Sequence, residues 1–132
     1  MIGHLGLNVA DLESARRYYG ALLPVLDYEP FLDTPDQFAH KPAGDRRGAY
    51  LFFYPAQEPG DVSRHRPGLQ HLAFIVPTRS AVDAALARAV ELGSEIVHPA
   101  RRWPEYPPPY YAAFWLDPEG LYLEAVCHHD RD

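Results

Sequence analysis

"HLGLNVAD", residues 4–11, returns 67 residues downstream as "HLAFIVPT", residues 71–78, and both copies introduce the same run of elements. Alternating apolar residues from Ile2 to Val9 predict a strand, because successive strand side chains point to opposite faces. Asp11 then opens "DLESARRYYGALL", where Leu12, Ala15, Tyr18, Tyr19 and Leu22 fall at helical spacing. In the second copy "LQHLAFIV", 69–76, predicts a strand, and Ser80 with Asp83 makes a capping-box-like start to "AVDAALARAVELG", which Gly93 can end.

The three strands after each helix are repeated as well. Pro24 limits the first helix, after which "VLDYEPF", "QFAHKP" and "AYLFFYP" predict three strands separated by Pro- and Gly-containing turns. After the second helix come the strand "SEIVHP", the loop "ARRWPEYPPP", and a hairpin of "YYAAFWL" and "LYLEAVC" through "DPEG", which suits a type I turn. The chain thus reads as an α+β fold of two βαβββ modules in a single domain: module one over 1–57, a Pro- and Gly-rich linker over 58–68, and module two over 69–129. Two such modules, each burying one sheet face, are expected to pair about a pseudo-twofold axis that brings equivalent positions together.

The charge balance narrows the function classes. Twelve Lys and Arg stand against 18 Asp and Glu, a formal charge of -6, and the basic residues are scattered in pairs such as Arg46-Arg47 and Arg101-Arg102. A nucleic-acid partner is therefore not expected. Cys127 is the single cysteine, which excludes an internal disulfide framework and fits a reducing compartment. No apolar run approaches the roughly 20 residues of a spanning helix, so the expectation is a soluble cytoplasmic protein with no membrane partner.

Aligning the repeats picks out four positions. His4 lies on His71, and laying "GAYLFFYP" from Gly48 over "GLYLEAVC" from Gly120 sets Phe52 on Glu124. By alternation His4 shares its face with Ile2, Gly6 and Asn8, and Glu124 shares its face with Tyr122 and Val126. A carboxylate in an otherwise apolar strand is costly unless paired, hydrogen-bonded or bound to a cation. Two neutral imidazoles and one carboxylate make a three-point metal site that leaves coordination positions open for water, oxygen or a chelating substrate. One strand histidine alone is more often a hydrogen-bonded core residue; the triple of His4, His71 and Glu124 carries the metal reading.

"HLGLNVADLESARRYY", "HLAFIV" and "FWLDPEGLYLEAV" resemble the first strand and helix, the fifth strand and the closing hairpin of the vicinal oxygen chelate superfamily. That superfamily includes glyoxalase I, bleomycin-resistance proteins, extradiol dioxygenases and fosfomycin-resistance enzymes, and the resemblance spans nearly the whole chain. It implies paired modules forming an incomplete barrel around one divalent metal (Fe, Zn, Ni or Mn), ligated by His4, His71 and Glu124, and a homodimer. Each member activity then meets a particular residue. A glyoxalase-type site implies a fourth, carboxylate ligand where this chain has Phe52, and Glu58 lies beyond Pro55. The phosphonate-holding residues of fosfomycin-resistance enzymes, thiol transferases, fall on Pro104, Pro108, Ala112, Phe114 and Gly6, which ranks that activity below the others.

Extradiol dioxygenases imply acid/base groups beside the ligands, for which Tyr110, Tyr111, His65 and His98 are the candidates. His98 reads equally as a surface strand residue, and His128 and His129 read as a solvated tail. Bleomycin-resistance proteins imply a metal-free binder with aromatic walls, for which Tyr50, Phe52, Tyr54, Trp103, Tyr106, Phe114 and Trp115 are available. The expectation is a metal-dependent enzyme, a glyoxalase-like lyase or isomerase or an extradiol-type dioxygenase, acting on a small oxygen-bearing substrate. Asn8, Tyr50, Phe52, Trp103, Tyr106, Phe114 and Tyr122 are expected to line its pocket, and the loop around Trp103 and Tyr106 to form a semi-rigid lid. A metal-free sequestering protein is the alternative.

Overall fold

The computed structural model describes all 132 residues and divides the chain into two compact units, Met1–Gly60 and Asp61–Asp132. The first contains β1 (His4–Val9), α1 (Leu12–Leu22), β2 (Tyr28–Thr34), β3 (Gln37–Pro42) and β4 (Tyr50–Pro55). The second contains β5 (Leu72–Ile75), α2 (Arg79–Glu91), β6 (Ile96–Arg102), β7 (Tyr111–Leu116) and β8 (Tyr122–Cys127). Each unit is an open four-stranded sheet with one helix, in the order β1-β4-β3-β2 and β5-β8-β7-β6. The α+β class and the twofold βαβββ order agree with the sequence pattern.

In the first unit the Asp11 carboxylate caps α1, accepting from the Ser14 N–H at 3.0 Å. The helix buries Ala15, Tyr18, Tyr19 and Leu22. Tyr19 meets Phe53 of β4 with ring centroids 4.5 Å apart, and Phe53 stacks on Phe38 of β3 at 4.5 Å. Each of these buried rings contributes about 1.5–3 kcal/mol of hydrophobic stabilisation. Residues Val25 and Leu26, expected to begin a strand, instead belong to a 3-10 turn, Leu23–Leu26, with Pro24 in its first positions. Proline there fits because its missing N–H is one the turn leaves unused.

In the second unit α2 buries Val82, Ala85 and Ala89, and its cap differs from the expected one. Thr78, not Ser80, accepts from the Ala81 N–H at 3.1 Å, so the helix starts earlier than the capping-box pattern implied. Gly93 ends it with a φ of +82, the left-handed conformation expected of a C-terminal glycine. The β7–β8 turn is held by Gly120 N–H donating to Asp117 O at 3.0 Å, and by the Asp117 carboxylate accepting from the Glu119 and Leu121 N–H groups. β6 runs on to Arg102, so the first three residues of the expected loop are strand.

Two registers fix the site. β1 pairs in parallel with β4 so that Gly6 faces Phe52, and β5 pairs in parallel with β8 so that Ala73 faces Glu124. Gly6 and Ala73 each stand two residues after the repeated histidine, so Phe52 and Glu124 occupy the same corner of the two sheets. All six residues of β8 are buried, which covers the Glu124 face as well as the helix face.

Candidate metal centre and cavity

Strand alternation on β8 puts Leu123, Ala125 and Cys127 under α2 and turns Tyr122, Glu124 and Val126 to the opposite face. There Tyr122 and Val126 join Trp103, Ala112 and Phe114 in an apolar cluster. Glu124 is 1% exposed within it. A carboxylate so buried needs partners, and it has two. His71 Nε2 lies 3.2 Å from Oε1, and the Tyr110 O–H donates to Oε2 at 2.5 Å.

His71 stands just before β5, where the chain is not yet bound into the ladder, and its side chain is 38% exposed. Its Nδ1 is hydrogen-bonded to Oε1 of the adjacent Gln70. A carboxamide oxygen only accepts, so with Gln70 Oε1 as the partner the proton is assigned to Nδ1, and the neutral ring then offers a lone pair at Nε2. Two acceptors, Nε2 and Glu124 Oε1, then face each other, an arrangement that asks for a cation between them, either a proton or a metal ion. The 3.2 Å separation suits adjacent ligands of one ion, which span about 3.0–3.4 Å for bonds of ~2.1 Å. The donor set therefore fits a divalent metal: an imidazole oriented through its far nitrogen and a carboxylate oriented through its far oxygen.

His4 lies in the first unit, exposed on β1, with its ring 5.4 Å from that of Phe52 and edge-on to it. No group of three or more His, Cys, Asp or Glu is gathered in the structure. Of the expected triple, the structure brings together His71 and Glu124.

A cavity of about 280 Å³ opens over this pair, lined by Gln70, His71, His98, Trp103, Tyr106, Tyr110, Phe114, Tyr122 and Glu124. Trp103, Tyr106, Phe114 and Tyr122 were expected here. Trp103 is anchored by its indole N–H donating to Ala112 O at 3.0 Å, and its ring stacks on Tyr106. Tyr106 is 42% exposed and forms the outer wall. Asn8, Tyr50 and Phe52 belong to the first unit, where Phe31 contacts Tyr50 at 4.9 Å and Phe52 meets Tyr54 at 6.3 Å. Trp115 is not a wall: it is wholly buried on the opposite face of β7 from Phe114.

Of the acid/base candidates, Tyr110 is the one at the carboxylate. Burial raises its phenol above the usual range, and the Glu124 bond adds to that, so it stays a donor. Tyr111 points the other way, donating to Asp83 of α2 at 2.7 Å. His65 is exposed on the connecting segment. His98 is half-buried and lies edge-on to both Trp103 and Phe114, at 5.0 and 5.6 Å, so it is a wall of the cavity. His128 is exposed, in keeping with the solvated-tail reading, and its ring sits edge-on to that of Tyr110 at 5.0 Å. Gln70 was missed because its neighbour in a regular strand would point to the opposite face; β5 begins only at Leu72, which frees it to turn onto His71.

Residues 1–125 match the Glyoxalase/Bleomycin resistance protein/Dioxygenase superfamily, and the chain belongs to that family. Its relatives include the uncharacterized protein YqjT of Bacillus subtilis (strain 168), 31% identical over 127 residues that cover 94% of this chain and 96% of that protein. Among solved structures, a putative glyoxalase from Bacillus halodurans is 29% identical, with a TM-score of 0.80 and coverage of 96% of this chain and 95% of that one. A lactoylglutathione lyase from Agrobacterium tumefaciens, 22% identical, shares the fold with a TM-score of 0.67 over 96% of this chain and 92% of its own.

Proposed function

We propose that this chain is a divalent-metal-dependent enzyme of the vicinal oxygen chelate type, acting on a small oxygen-bearing substrate, with His71, Glu124 and His4 as ligands. The reading rests on one observation above the others: Nε2 of His71 and Oε1 of Glu124 face each other at 3.2 Å, each held from behind by a partner of its own. The equivalence of Gly6–Phe52 with Ala73–Glu124 in the two sheets supports His4 as the third ligand, supplied by the first unit of the same chain or of a second copy in a homodimer. The metal would supply Lewis-acid polarisation of vicinal substrate oxygens or, as iron, activation of dioxygen.

The protein's own groups prepare that chemistry. Gln70 fixes the His71 tautomer, and Tyr110 fixes the rotamer of Glu124 and holds a proton at its phenol oxygen, next to the site. The rings of Trp103, Phe114 and Tyr122 exclude water from one side of the polar floor and offer a planar substrate flat surfaces. Phe52 at the fourth corner favours a three-ligand site over a four-ligand glyoxalase-type one. The ring-lined cavity favours, as a second reading, a metal-free protein that sequesters a small aromatic ligand.

Metal analysis of protein purified without a chelating tag separates the two. A stoichiometric divalent ion is expected, with loss on His71→Ala; absence of any ion, or a metal content unchanged by that substitution, overturns the metal reading. A mixture of His4→Ala and His71→Ala chains regains metal sites only if the ligands come from two copies.

A further inference from the structure

Arg64 lies on the segment that leads into β5 and is half-buried, with its guanidinium 4.4 Å from the centre of the Tyr122 ring. Tyr122 packs by stacking on Phe114 at 5.3 Å and lines the cavity above Glu124. Arg64 has neither an ion-pair nor a hydrogen-bond partner, in a chain where acids outnumber Lys and Arg by 18 to 12. The other arginine stacked on a cavity ring differs in this respect. Arg101 sits 3.4 Å from the Trp103 ring but is engaged by Glu105 at 3.4 Å and by Arg102 O at 2.8 Å.

Arg64 is outside the cavity's lining and reaches it only through the Tyr122 wall. From this geometry we infer that Arg64 is an anion subsite at the cavity's edge, and that the ligand class is a small planar molecule carrying a carboxylate or similar anion. The proposal deepens the functional reading above, placing the anion at Arg64 and the chelating oxygens toward His71 and Glu124. A guanidinium stacked on one ring keeps its edge N–H donors free for a carboxylate, which binds them in a planar fork. The volume, about nine water molecules at ~30 Å³ each, admits one substituted ring and no long chain.

Anion selection is measurable without metal. Benzoate and benzamide have nearly the same shape and differ in charge, and binding of each in the presence of EDTA can be followed by the NMR signal of the Trp103 indole N–H. Trp115, on the far face of β7, serves as the internal control. Benzoate is expected to bind about tenfold more tightly than benzamide, the effect of one charge-assisted hydrogen bond. Arg64→Gln should bring the two affinities together, as should Arg64→Met, which keeps an unbranched stem over Tyr122. Arg64→Lys should retain part of the preference. Equal binding of the pair to the native protein, or a preference that survives Arg64→Gln and Arg64→Met in folded protein, overturns the assignment. Because EDTA is present throughout, failure here is distinct from failure of the metal reading.

Discussion

Nε2 of His71 stands 3.2 Å from Oε1 of Glu124, and the far end of each side chain is taken: Gln70 holds Nδ1 and the Tyr110 hydroxyl holds Oε2. The first unit builds the same corner without the carboxylate, setting His4 edge-on to Phe52 with ring centroids 5.4 Å apart. One scaffold therefore appears twice, once closed by a buried carboxylate and once by a hydrocarbon ring.

Gln70 is the orienting group of His71, so its removal should loosen the proposed ligand without removing it. Gln70→Leu is expected to weaken divalent-metal affinity about 10- to 100-fold, the usual cost of losing a partner behind a ligand. Calorimetric titration with zinc or manganese measures this, and a melting temperature close to that of the native protein would separate the effect from unfolding. An unchanged affinity would show that Gln70 does not orient the imidazole.

Tyr110 donates to a carboxylate that is almost fully buried, so Tyr110→Phe leaves a lone pair of Glu124 unanswered. A destabilisation of about 1–3 kcal/mol is expected in chemical denaturation. The pH dependence carries the sign. The folded phenol titrates above its ordinary value of 10.0, raised first by burial and then by the Glu124 bond. Its contribution is fully present below that ordinary value and is lost as pH rises toward the folded one. The native protein should lose stability above about pH 10 more steeply than Tyr110→Phe; parallel curves would exclude the bond as a contributor.

The repeat was legible because His4, His71 and the two helix patterns are strong local signals, and the equivalence of Phe52 with Glu124 came from counting along strands. The registers Gly6–Phe52 and Ala73–Glu124 bear that counting out. Partners set by tertiary contact were less accessible. Gln70 is next to His71 in sequence, yet strand alternation sends neighbours to opposite faces. Arg64 sits in a segment whose Pro, Gly and charged residues read as a connection, and nothing local announces that it folds over Tyr122. His98 stayed open between a surface and a site residue for the same reason, since its ring contacts with Trp103 and Phe114 depend on the path of the chain after β6.

Phe52→Glu would place a carboxylate beside His4 where Glu124 stands beside His71. If His4 is a ligand, the substitution supplies a fourth donor, and metal affinity should rise by about tenfold or more. The cost falls on the ring contacts of Phe52 with Phe31 and Tyr54, so the apoprotein should melt lower while added metal restores the loss. Paired thermal melts with and without zinc read both effects. A metal response equal to that of the native protein would remove His4 from the ligand set.

His40 of β3 lies apart from the site and was not singled out by its sequence context. It is 5% exposed, and its Nδ1 has no hydrogen-bond partner. Burial lowers its pKa from the ordinary 6.5, with the nearby Asp33 opposing the shift. The folded protein thus resists a proton that the unfolded chain accepts, so stability is retained above about pH 6.5 and falls as pH drops below it. His40→Leu removes both the titration and the unpaired nitrogen. The native protein is expected to lose more stability than His40→Leu between about pH 7.5 and pH 5, measured by denaturant midpoints at each pH. An equal loss in both proteins would mean that carboxylates, not this imidazole, set the acid limb.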